Sequence, residues 1–184
     1  MGGYKYINAS IILLIGAIQF FIVMEICQFI YPGYSISDDV VSRLGIGPTA
    51  LIFNSSLIIL GLMGLGASVI LYRGGFDKVF NILLIVVSLS IVGVGLFPMD
   101  LGLLHLIPSL FVFVYGGVLA IYSSITDKSR LRYIWLLLGV TTLVSLVMFI
   151  SGNYMGIGRG GMERMIIYPL IIWIIGFSAR LSTM

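Results

Sequence analysis

Seven side chains in this sequence are of types that could do chemistry, and they are spread along its length: Glu25, Asn54, Asp100, His105, Arg159, Glu163 and Arg164. His105 is the one histidine and follows Asp100 by five residues. A histidine oriented by a carboxylate can move protons near neutral pH, so the two could act as general acid and base. Glu25, Asp100, His105 and Glu163 could also offer an oxygen-rich metal site. A catalytic zinc usually takes three protein ligands with histidine prominent, and one histidine argues against it. No cofactor is therefore expected. Arg159 and Arg164 bracket Gly160 and Gly161, where backbone N–H groups ahead of a helix start could turn toward an anion. Plainer roles exist for the same residues, with Glu25 paired to Arg159 or Arg164 as a lock and the glycines simply making a tight turn.

Other patterns carry less. Gly156, Gly158 and Gly161 match G-x-G-x-x-G, but that fingerprint needs a preceding strand, and here an apolar run precedes it. Ser37 and Ser42 lack an elbow motif that would make either a nucleophile. The single cysteine, Cys27, excludes an intrachain disulfide framework and a cysteine-cluster metal site.

The elements that must position these groups follow from composition. The 184 residues are 60% hydrophobic and 9% charged, against about 25% charged in soluble domains. A helix needs about 20 apolar residues to cross the hydrocarbon, which leaves room for about six spans and no soluble domain. The apolar runs are continuous and do not alternate with polar residues, so helices are favoured over a barrel. The expected fold is an all-α, single-domain bundle of six transmembrane helices over about 7–30, 49–72, 79–97, 107–125, 133–151 and 165–179. A short surface helix is expected near 37–44, capped by Ser37, with Asp38 and Asp39 at its positive end and Gly45 after it. Lys5 before the first run resembles a signal peptide, but the run is too long and no cleavage pattern follows. Gly2 is followed by Tyr6 where a myristoylation signal has Ser or Thr.

The net charge of +3 is scattered through short loops and forms no nucleic-acid stripe. With the N-terminus inside, Lys5, Arg73, Lys78, Lys128, Arg130, Arg132 and Arg180 lie inside, whereas Arg43, Arg159 and Arg164 lie outside. This bias places both termini in the cytoplasm of a cell-membrane protein. The inner segments, Asp77 and Asp127 included, then read as solvated flank. All seven candidate side chains fall at the outer face, where the stretch Leu96 to Pro108 forms a hairpin tip and Pro108 opens the fourth span. Trp135, Tyr133, Tyr31 and Tyr34 read as anchors at the headgroup layers.

The segments SISDDVVSRLG (35–45), IFNSSLIILGL (52–62), GVGLFPMDLGLLHLIPS (93–109) and GRGGMERMIIYPLIIW (158–173) resemble the prokaryotic six-span membrane proteins catalogued as domain of unknown function 998. That resemblance covers nearly the whole chain and implies the six-span fold without supplying catalytic residues. The residues themselves suggest a binding protein whose outer cluster takes a lipid headgroup or small anion, with Arg159 and Arg164 as contacts and membrane lipids as partners. An enzyme modifying a lipid or isoprenoid with His105 as acid/base is a second expectation. A third is an accessory subunit, with Gly61, Gly64, Gly116 and Gly117 giving helix faces for a partner subunit or a second copy.

Overall fold

A computed structural model describes residues 6–184; Gly2 and Lys5 lie outside the described residues. Six helices carry the fold: α1 (Ile7–Ile30), α2 (Ala50–Arg73), α3 (Lys78–Leu96), α4 (Leu103–Thr126), α5 (Arg132–Ile150) and α6 (Gly158–Leu181). Each lies in a segment long and apolar enough to cross a membrane. The chain is a multi-pass membrane protein.

Consecutive helices pack side by side, α6 closes back onto α1, and α4 also touches α6. Five helices, α1, α2, α3, α4 and α6, thus enclose a central space, and α5 lies outside the ring against α4 and α6. Large apolar side chains point outward: Phe29 is 90% and Leu51 80% exposed. In water this would be a liability, but facing lipid tails it removes any reason to bury them. The helix contacts instead rest on small residues. A Cβ on Gly61 would stand 2.7 Å from the Ser88 carbonyl oxygen of α3, and one on Gly117 would stand 2.7 Å from Leu143 of α5. The glycine faces expected to receive another subunit are thus used inside the bundle: Gly61 and Gly64 against α3, Gly116 against Leu170, and Gly117 against α5.

Four of the six spans begin and end within a residue or so of the expected limits; the fourth and sixth do not. Helix α4 starts at Leu103, so His105 stands in its first turn and Pro108 lies inside it rather than opening it. Gly102, at φ +58°, makes the left-handed turn that starts α4 early, and its carbonyl receives the N–H groups of His105 and Leu106. The tip shrinks to a 3₁₀ turn at Met99–Leu101. Helix α6 starts at Gly158, which converts most of the expected glycine loop into helix.

The segment between α1 and α2 is no surface helix. It forms 3₁₀ turns at Val41–Gly45 and Gly47–Thr49, and Val40, Val41 and Leu44 are buried among the helix ends. Ser37 does not cap it, since its hydroxyl donates to the Ile157 carbonyl.

Candidate functional site

At the end of the bundle holding His105, charge is spent on backbone. Arg164 is 4% exposed. Its Nη1 donates to the carbonyls of Ile36 (2.8 Å), Asp39 (3.1 Å) and Gly160 (2.9 Å), and its Nη2 donates to Gln28 Oε1 (2.8 Å) and the Tyr34 hydroxyl (2.7 Å). The guanidinium fork supplies fixed donors that a lysine could not place. It staples the 34–40 segment onto α1 and α6. Burial pushes the Tyr34 phenol up to about 12, so its hydroxyl keeps its proton and donates toward the Val40 carbonyl at 3.1 Å. Asp39 accepts from the Ser35 N–H and from Arg43, which together hold its carboxyl below the usual range.

Gly160 explains why glycine sits in a helix where it costs about 1 kcal/mol relative to alanine. The 36–39 backbone lies so close that a Cβ there would collide with the Asp39 carbonyl and stand 2.7 Å from that of Ile36. The same approach lets the Gly160 and Gly161 N–H groups donate to the Ser37 carbonyl, at 2.7 and 3.2 Å. The start of α6, read from sequence as an anion cradle, therefore already has its acceptor inside the protein.

Glu25 does not pair with an arginine. Its carboxylate accepts from Gln28 Nε2 (3.0 Å) and the Tyr168 hydroxyl (3.3 Å), so Gln28 stands between Glu25 and Arg164 and serves both. Arg159 is exposed, with its guanidinium 5.7 Å from the Phe149 ring centre. Asn54 donates to the Gly45 carbonyl at 2.9 Å and ties α2 to the turn before it. Asp100 is exposed and has no hydrogen-bond or ion-pair partner among the described residues. His105 is oriented by the Phe97 carbonyl, 2.7 Å from Nδ1, and not by Asp100. No group of three or more His, Cys, Asp or Glu side chains placed to hold a metal ion occurs among the described residues, so the three acids and one histidine considered together do not converge.

What the ring does bring together is a cavity of about 100 Å³. His105, Ser109, Ser42 and Glu163 stand on its wall, and the rest is chiefly apolar, including Phe20, Phe53, Val112, Ile167, Leu170 and Trp173. A smaller void of about 30 Å³ shares Leu60, Val87, Ile91, Trp173 and Ile174 with it and extends toward Phe80 and Ser178. Glu163 is 5% exposed; it accepts from the Val41 N–H and, at 3.3 Å, from the Ser42 hydroxyl. Neighbours in sequence, Glu163 and Arg164 thus serve different partners. Of the seven predicted residues, His105 and Glu163 reach the cavity. Gln28, Tyr34 and Ser37 were not among them, although Gln28, three residues after Glu25 in an apolar helix, was the available sign of a shared network.

The opposite end differs from its expected solvated character. Asp127 is 1% exposed and accepts from Trp135 Nε1 (2.9 Å), Arg180 Nε (3.1 Å) and the N–H and hydroxyl of Ser129 (both 2.9 Å). Burial pushes its carboxyl up, but these donors more than offset that and hold it below the usual range. Trp135 is no interfacial anchor; at 3% exposed it is part of this lock, whereas Tyr133 is exposed.

No functionally curated protein and no solved structure matches this chain. A family model matches residues 14–180, from the first helix through the last, and includes every helix of the ring, the buried 34–46 segment, the cavity and the Asp127 lock. The chain belongs to the family described as protein of unknown function DUF998.

Proposed function

We propose that this protein is a cell-membrane binding protein that holds the apolar chain of a membrane lipid in the central cavity, with the lipid's head at the His105 end. Both termini lie in the cytoplasm in this reading, supported by the bias of seven basic residues against three. The observation that carries the proposal is the cavity itself, an apolar space enclosed by five helices and edged at one end by His105, Ser42 and Glu163. Dry apolar cavities admit apolar guests, and one of about 150 Å³ takes benzene. A space of about 100 Å³ suits the end of one acyl or isoprenoid chain. The headgroup-first alternative built on Arg159 and Arg164 has less support, because Arg164 is committed to five protein acceptors and Arg159 stands apart on Phe149.

Filling the cavity tests this. Val112→Phe places a ring into the space, and native mass spectrometry of protein released from membranes should show retained lipid falling about tenfold or more. Retention equal to that of the unmodified protein would overturn the proposal, provided the melting temperature shows that the variant is folded.

A further inference from the structure

The lipid-chain reading leaves open which head the cavity prefers, and the hydrogen-bonding state of its polar wall answers that. Glu163 is the one acidic residue on the wall among those described. Among the described residues the ion pairs are Asp39–Arg43 and Asp127–Arg180, so the Glu163 carboxyl has no cation within salt-bridge distance. A carboxylate can accept about four hydrogen bonds. Two are used, by Val41 and Ser42. His105 adds a second acceptor. Its Nδ1 faces the Phe97 carbonyl, which can only accept, so Nδ1 carries the hydrogen, and Nε2 is the ring atom with a lone pair to offer in the uncharged tautomer. The Ser109 hydroxyl is already donated to the His105 carbonyl. None of the nearby arginines pairs with Glu163: Arg164 directs both Nη groups to the 34–40 segment, Gly160 and Gln28 and leaves its buried Nε–H without a partner, Arg43 lies on Asp39, and Arg159 on Phe149.

Resting on the lipid-chain reading, we infer that the cavity takes a single-chain amphiphile whose head is not anionic and donates hydrogen bonds, a hydroxyl or an amino group, to Glu163 and His105. An anionic head would meet a carboxyl group and an acceptor nitrogen, neither of them ion-paired to a cation. A desolvated site without a paired cation disfavours a charged anionic head relative to a neutral or cationic one. The chain would run from these two residues toward Trp173, which lines both the main cavity and the void beyond it.

Trp173 provides the readout. The full-length protein in nanodiscs is titrated with short chains of about five carbons, brominated at the tail and headed by hydroxyl, amine, carboxylate or phosphate, and quenching of tryptophan fluorescence is followed. Trp173→Phe assigns the signal, since Trp135 is the other tryptophan and lies in the Asp127 lock. The hydroxyl and amine chains should quench saturably, with the two anionic chains about a hundredfold weaker. Glu163→Gln, which keeps an acceptor for Val41, should narrow that gap, and Val112→Phe should remove saturable quenching by every chain. Equal binding of all four heads, or tighter binding of the anionic ones, with Val112→Phe still abolishing it, overturns the head preference and leaves the chain site standing. Absence of saturable quenching by any chain, or quenching untouched by Val112→Phe, overturns the lipid-chain reading itself.

Discussion

The two ends of the bundle handle buried charge in opposite ways. At the Asp127 end a carboxylate, an arginine, an indole and a serine converge, and every oxygen of Asp127 is occupied by a side chain or backbone donor within a few residues of a helix end. At the His105 end the acid and the base adjacent in sequence form no ion pair: Arg164 gathers carbonyls of an irregular segment, and Glu163 accepts from that segment with capacity to spare. A closed ion pair with its donors satisfied adds rigidity and leaves nothing for a ligand. Separated charges hold a loop over a cavity and leave acceptors on its wall. The difference explains why only one end is a candidate binding site.

The largest test of this contrast is Arg164→Met. It strips donors from three carbonyls, Gln28 and Tyr34 together, and loss of a buried charged partner of this kind costs about 3–5 kcal/mol. The melting temperature in detergent should fall steeply, and hydrogen exchange should accelerate across residues 34–46 more than in α5. Exchange unchanged in that segment would show that Arg164 is not what holds it.

Asp127→Asn should come next, at about 2–3 kcal/mol, because the indole and Ser129 keep an acceptor while Arg180 loses its charge partner. The acid is also a pH probe. Its carboxyl is held below the ordinary value in the folded protein, so its contribution is fully present above about pH 4 and is lost as pH falls through the lower, folded-state value. A melting profile recorded from neutral to strongly acidic pH should show an acid decline that is shallower in Asp127→Asn. Identical slopes would separate Asp127 from the acid response.

The smallest effects sharpen the same contrast by their absence. Asp100→Ala and Arg159→Ala touch exposed groups outside both networks, and each should change stability by less than about 0.5 kcal/mol. A larger loss in either, measured by the same melts, would mean that the network at the His105 end reaches further than Arg164 and Glu163.

Hydropathy is a local property, and so the six spans, the helix-only architecture and the gathering of Glu25, His105, Glu163 and Arg164 at one end were legible from the chain read in order. The resemblance over 35–45, 52–62, 93–109 and 158–173 matches the family to which the chain belongs. Pairing was not legible, because it depends on helix rotation and on backbone meeting backbone across more than a hundred residues. Nothing near Arg164 in sequence announces the carbonyls of Ile36 and Asp39. Nothing near Asp127 announces Arg180, and a short charged loop looks solvated until the helix ends close over it.

Gly160 shows where the boundary falls. Sequence alone assigned the glycine stretch to a loop, by intrinsic preference, and that preference lost to a tertiary contact that only a missing Cβ allows. Apolar length and the end at which each polar group lies were determined by the sequence, since twenty apolar residues must span as a helix wherever they occur. Which of those groups are consumed by the protein, and which are left facing the cavity at His105 and Glu163, was decided by the closing of α6 onto α1 and onto the buried 34–46 segment, a contact no local pattern encodes.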